Sequence, residues 1–159
     1  MSSITPKISV SASNFDVAAE LEHLKAGRTD IGALVTFTGL CRDENGSLAA
    51  LELEHYPGMA EAELQRLATS ALERWPLTGL TIIHRVGRIR PGENIVLVVT
   101  ASAHRRAAFE AADFLMDFLK TQAPFWKKEH PASGNEPQWV EAKSTDDTDA
   151  ARWMAKDAR

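Results

Sequence analysis

The chain has 159 residues, 44% of them hydrophobic and 25% charged, the size and balance of one globular domain able to bury roughly 70% of its unfolded surface. Its 18 Lys+Arg stand against 22 Asp+Glu for a net charge of -4, which excludes the broad basic surface that nucleic acids require and makes any anion site local. The longest apolar run, Ile95 to Val99, excludes a transmembrane helix and the apolar stretch of a signal peptide, while the single cysteine, Cys41, excludes an internal disulfide and fits a reducing cytoplasm.

Lys7 to Val10 alternates polar and apolar residues and predicts a short strand. Phe15 to Ala26 predicts a helix with Val17, Leu21 and Leu24 on one face, Ser13 or Asn14 as its cap and Gly27 at its end. Gly32 to Leu40 and Ala49 to His55 read as strands, and Asp43-Glu44-Asn45-Gly46 between them predicts a hairpin. Tyr56-Pro57-Gly58 then breaks the chain before the clearest amphipathic helix, which aligns Leu64, Leu67, Ala68, Ala71, Leu72 and Trp75. Leu80 to Val86 and Ile95 to Ser102 predict strands joined across Arg90-Pro91-Gly92-Glu93.

Arg106 to Gln122 predicts a third helix whose polar residues, Glu110, Asp113, Asp117 and Lys120, share an arc of only about 80°. So wide an apolar surface is expected to be covered on two sides, by the chain's own sheet and by another subunit. Pro124 stops this helix, Phe125 to Glu129 forms an aromatic and basic corner, and 131–137 is a polar loop. Gln138 to Ala142 is expected as an edge strand. The domain is placed at residues 1–143, with 144–159 as a charged tail or frayed helix. Strands mixed with three main helices predict an α+β fold.

Phosphate-binding glycine loops, paired cysteines, His-x-x-x-His and Gly-x-Ser-x-Gly are all absent from the sequence, so no metal or bound cofactor is expected. What remains is a set of cations at element ends: Arg42, His104, Arg105, Lys120, Lys127 and Lys143. His104 and Arg105 stand where a strand meets a helix N-terminus, where free amides and side-chain charge jointly suit a phosphate, although solvated surface charge fits the same residues. Lys120 follows Asp117 by three residues and would make a weak exposed pair. The break at Pro124 would instead fold Lys127 towards Lys120, and two amines beside an apolar wall favour a neutral, nucleophilic amine. Phe125 and Trp126 also fit plain core anchors. Cys41 beside Arg42 fits a stabilised thiolate or a small buried side chain. His104 and Lys120 lie about 24 Å apart along one helix, so either two sites exist or two subunits complete one.

Val35 to Gly39, Leu53 to Met59, Ile83 to Gly87, Ser102 to Arg105, Trp139 to Ala142 and above all Leu119-Lys120-Thr121-Gln122-Ala123-Pro124-Phe125-Trp126-Lys127-Lys128-Glu129 closely resemble the catalytic, large subunit of molybdopterin synthase. The match runs from about Gly32 to Lys143. It implies an α/β-hammerhead fold and a homodimer at the centre of a heterotetramer, with a small ubiquitin-like sulfur carrier docked at each end. The carrier's C-terminal thiocarboxylate would supply sulfur to cyclic pyranopterin monophosphate, so no cofactor of the chain itself is needed.

By the same resemblance the catalytic lysines fall on Lys120 and Lys127, the anion-binding residues on Arg42, His104 and Arg105, and the adjoining pocket on Lys128 and Glu129. His104 and Arg105 would come from the other protomer. Leu40 and Cys41 stand where many members have Gly-Lys-x-Arg, removing one cation. Lys143 stands where relatives often carry Arg, keeping charge without a bidentate fork. The alternative readings are a non-catalytic module that binds a ubiquitin-like tail, and a Cys41 thiol enzyme.

Overall fold

The computed structural model describes residues 4–140 and 148–153. Strands β1 (Lys7–Ser11), β2 (Ala33–Leu40), β4 (Leu77–Arg85) and β6 (Asn94–Ser102) form one sheet in the order β1-β4-β6-β2. Strands β3 (Leu48–His55), β5 (Gly87–Ile89), β7 (Phe125–Pro131) and β8 (Gln138–Val140) form a second, in the order β5-β3-β7-β8. Among the described residues only β1 and β4 pair in parallel, and the other ladders are antiparallel. Helices α1 (Val17–Lys25), α2 (Met59–Arg74) and α3 (Arg105–Thr121) complete the α+β fold. None of the described helices is long and apolar enough to cross a membrane.

The first sheet is buried on both faces, which is why β6 carries the unbroken apolar run Ile95 to Val99 and nearly every residue of β4 is buried. One face, through Ile83, Leu97 and Val99, packs under Phe15, Val17, Leu21 and Leu24 of α1 and its lead-in. The other, through Leu80, Ile82, Val96 and Val98, packs under α2 and α3. Asp16, rather than Ser13 or Asn14, caps α1 by accepting from the Ala19 amide at 3.1 Å. Glu61 reaches back to accept from the Gly58 amide at the start of α2.

The predicted β2–β3 hairpin does not form. The Asp43–Gly46 turn is present, with Asn45 and Gly46 at positive φ, but β3 spends its two ladder edges on β5 and β7 while β2 pairs with β6. The chain leaves the first sheet at Cys41, whose amide donates to the Glu93 carbonyl and whose carbonyl accepts from the Gly92 amide. Strand β5 enters the second sheet through Gly87, whose φ of 83° favours glycine. Phe125 to Glu129, expected as a corner, is the start of β7.

The second cover on α3 comes largely from the same chain. Sheet one and α2 bury Ala108, Ala111, Phe114, Leu115, Phe118 and Leu119, and Phe109 stays 60% exposed. Within the stretch expected as a tail or frayed helix, residues 148–153 are helical and bury Ala150 and Trp153 in the main core. The Trp153 ring meets Trp75 and Phe114 edge-on, each at 5.6 Å between centroids. Its indole N–H donates to Asp117, which also accepts from Arg152. Asp117 is therefore engaged by this segment, not by Lys120.

Because Trp153 is 3% exposed, Trp153→Ala is expected to lower the unfolding free energy by about 3–5 kcal/mol. Urea denaturation checks this, and a change within about 0.5 kcal/mol, the ordinary surface value, would contradict a docked segment.

Candidate active site

The register of the first sheet sorts the candidate residues into two groups. Ala33 pairs with Ser102 at one end, and Leu40 with Asn94 at the other. After Ser102 the chain reverses at Ala103 and His104, and α3 runs back along the sheet, tied by the Thr100 hydroxyl donating to the Ala108 carbonyl at 2.6 Å. His104 and Arg105 thus lie at the Ser102 end. Leu40, Cys41, Arg42 and the Lys120 turn of α3 lie at the Asn94 end, about 24 Å away.

At the Ser102 end, Gly32, Ala103, His104, Arg105, Arg106, Phe109 and Glu110 line an open cleft of about 580 Å³. His104 occupies the N-cap of α3 in extended conformation without a side-chain cap bond, and the first turn holds no acidic residue. Arg105 and Arg106 beside the α3 N-terminus give this end a positive field, in which Arg106 faces the Glu110 carboxylate at 4.0 Å. Gly32 donates its amide to Ser102, and a Cβ there would stand 2.0 Å from the Ala103 carbonyl oxygen. Only glycine lets the two strands of chain approach this closely beneath the cleft.

At the Asn94 end, Lys120 is exposed in the last turn of α3 and makes no ion pair among the described residues. The helix closes with the Gln122 amide donating to Phe118, and the Phe125 amide donates to Ala123 as β7 begins. Lys127 pairs across the ladders with Leu53 and Val140, while Lys128 pairs with Glu52 and Trp139. Directly opposed residues share a face, so Lys127 points to the face of Phe125 and Glu129, and Lys128 to the opposite one. Lys128 is held over the Trp139 ring at 4.5 Å. On that outer face the Glu52 carboxyl is held below its usual range, first by its hydrogen bond with His130 and also by the Lys128 charge. The structure thus separates Lys128 from the pair of lysines that the sequence grouped with it.

Cys41 is 3% exposed and directs its sulfur at the Ile89 carbonyl, 3.9 Å away. Burial pushes its thiol up, and the carboxylates of Glu93, Asp43 and Glu129 add to this. Arg42 pairs with Glu44 at 2.6 Å rather than with the thiol. Both facts oppose a thiolate nucleophile. Leu40 is 53% exposed at the end of β2. Lys143 lies outside the described residues. Among the described residues no cluster of His, Cys, Asp and Glu is arranged to hold a metal ion.

One feature of this end escaped the sequence reading. His84, near the end of β4 and 8% exposed, stacks on Phe125 with centroids 3.9 Å apart and planes 11° from parallel. Its Nδ1–H donates to the Arg85 carbonyl at 2.8 Å. Burial pushes its pKa down to about 4 from an ordinary 6.5, and the charges of Lys127 and His55 push the same way. Phe125 is therefore a core anchor, as expected of it, whereas Trp126 is 44% exposed and meets Tyr56 edge-on. A histidine following Ile82 and Ile83 in a buried strand was the available signal.

The His84 shift fixes a pH dependence. Between pH 6.5 and about 4 the unfolded chain binds a proton at His84 that the folded chain refuses, so stability falls as pH falls through this window and is complete above it. The contribution is about 3 kcal/mol. Measured by urea unfolding at pH 7 and pH 4, His84→Phe is expected to lose about 3 kcal/mol less than the parent; equal losses would contradict a buried uncharged ring.

A family model described as MoaE protein matches residues 10–122. The molybdopterin synthase catalytic subunit of Mesorhizobium japonicum is 67% identical over 152 residues, covering 96% of each chain. That of Brucella melitensis is 66% identical, covering 92% of this chain and 90% of its own. Among solved structures, the molybdopterin biosynthesis MoaE protein of Burkholderia ambifaria superposes with a TM-score of 0.81 at 47% identity, over 94% of this chain and 99% of its own. The molybdopterin synthase of Staphylococcus aureus does so at 0.75 and 28% identity, over 83% and 95%. With the family model covering most of its length and relatives this similar end to end, the chain belongs to the MoaE family, that of the molybdopterin synthase catalytic subunits.

Proposed function

We propose that this protein is the sulfur-transferring subunit of a molybdopterin synthase, moving sulfur from the C-terminal thiocarboxylate of a small ubiquitin-like carrier to cyclic pyranopterin monophosphate. The observation that carries the reading is the similarity to molybdopterin synthase catalytic subunits over nearly the whole chain, 67% identical over 152 residues in one case, with Lys120 in the last turn of α3 and Lys127 near the start of β7 on either side of a short link. Lys120, exposed and without an ion pair among the described residues, is the first choice for proton transfer or a transient covalent link. Lys127, on the Phe125 face of β7, stabilises the thiocarboxylate and the anions that develop as the sulfur moves.

His104, Arg105 and the free amides of α3 hold the phosphate and pterin. Since they lie about 24 Å from Lys120 on their own chain, each site takes its lysines from one protomer and its phosphate cradle from the other. The exposed Phe109 beside the cleft supports a second copy covering that end. Arg42 adds charge at the lysine end once its exposed pair with Glu44 opens, a pair weak enough to exchange. Lys128 and Glu129 shape the wall on either side of β7. The protein works in the cytoplasm, as expected of a biosynthetic enzyme, and its sulfur comes from the carrier.

Single-turnover sulfur transfer with thiocarboxylated carrier is expected to fall at least about 100-fold in Lys120→Ala. Carrier binding with no product in the parent protein would instead favour a docking module. Shared sites make a sharper prediction: Lys120→Ala and Arg105→Ala proteins, each inactive alone, recover about a quarter of parental activity when dissociated and reassembled together, because half the dimers carry one intact site. No recovery on mixing would place the cradle and lysines in one chain.

A further inference from the structure

We propose that His84 is a positioning residue for Lys127, acting through the stack of its imidazole on Phe125. The inference rests on the role given to Lys127 above and extends it to a residue that touches neither carrier nor pterin.

Three constraints meet at this ring. The backbone of His84 is clamped in the first sheet between Val10 of β1 and Val96 of β6. Its rotation is fixed by the Nδ1–H bond to the Arg85 carbonyl. Its free face lies flat on Phe125, the first residue of β7 in the second sheet. Phe125 in turn pairs with His55 of β3, and Lys127 follows two residues later on the same face. The stack is thus a joint between the two sheets, placed at the root of the strand that carries one lysine and five residues after the other. Away from β7 the two sheets are joined by the chain itself, which passes from β4 through Val86 into β5, and by Ile95 of β6, which packs against the cluster of Cys41, Leu51, Leu53 and Ile89. Without the joint, the root of β7 would pivot on the Gln122–Pro124 link, and small displacements of a reacting group are costly.

The ring also suits this place by its charge. The charged or titratable groups facing it are Lys127 from β7 and His55 from β3, and His55 itself faces Glu61 of α2 at 3.8 Å. The neighbouring Arg85 side chain points away, donating to the Asn94 and Ala12 carbonyls. An uncharged flat ring supports Phe125 without repelling the Lys127 amine; a cation at position 84 would push it out of line.

The test is a kinetic cycle on the assembled synthase with thiocarboxylated carrier, using His84→Ala, His84→Leu, His84→Phe, Lys127→Ala and His84→Ala/Lys127→Ala. Removing the stack in His84→Ala or His84→Leu is expected to lower kcat at least about tenfold, with KM for the carrier changed less than about threefold. His84→Phe, which keeps a flat apolar face, restores kcat to within about threefold. In the Lys127→Ala background, His84→Ala adds less than about twofold, the mark of a residue acting through another. Near-parental kcat in His84→Leu, losses that multiply in the double variant, or a His84→Phe as slow as His84→Leu would each overturn the proposal while leaving Lys127 in place. A Lys127→Ala protein with parental kcat would overturn the role of Lys127 and the proposal with it.

Discussion

Helix α3 is a rod of fixed length pressed onto a sheet, and much of the functional argument follows from that. Its buried side, from Ala108 to Leu119, is held by the first sheet and α2 and closed by Trp153. Whatever charge sits at its two ends is therefore kept about 24 Å apart. The N-terminal end presents free amides, His104 and Arg105; the C-terminal end presents Lys120. Neither end alone suits a substrate that must be both held by its phosphate and attacked by sulfur. The site proposed above therefore draws on both ends through a second copy running the other way.

The second sheet does different work. It carries little of the main core, and its inner face is closed by the small cluster of Cys41, Leu51, Leu53 and Ile89. Its contribution is to run β7 so that successive lysines face opposite ways, Lys127 exposed on the face of Phe125 and Lys128 half-buried over Trp139. Two neighbouring cations in the sequence thus enter two different environments. The His84–Phe125 stack ties this small sheet to the large one at the point where the difference matters.

How much of this was legible from the sequence depended on whether the deciding interaction was local. The spacing of Leu64, Leu67, Ala68 and Ala71 announced α2 because one helical face alone must be buried. The Ile95 to Val99 run announced a strand, and the fold covers it on both sides. The β2–β3 hairpin was misread because turn residues specify a reversal but not which strand will take the free ladder edge. Strand β7 was hidden because Lys127 and Glu129 occupy its inner face at the rim of the sheet, so no polar and apolar alternation marks it. Trp153 was hidden because its segment buries only Ala150 and Trp153 amid charge. The lysine pair and the helix-start cations were named from the sequence, but their separation into two ends, and the stack beneath one of them, needed the fold.

The central claim is that the carrier's tail is received at the lysine end of one chain while the phosphate is held by the cradle of another. A crystal structure of the assembled synthase with the intact carrier tail and the pterin substrate tests it most directly. The account predicts that the terminal glycine ends within about 4 Å of the Lys120 and Lys127 amines, near enough for a strong charge interaction, with His104 and Arg105 of the second protomer on the phosphate. A tail ending on the outer face beside Lys128, or a phosphate bound by the Arg105 of the same chain as those lysines, would contradict it.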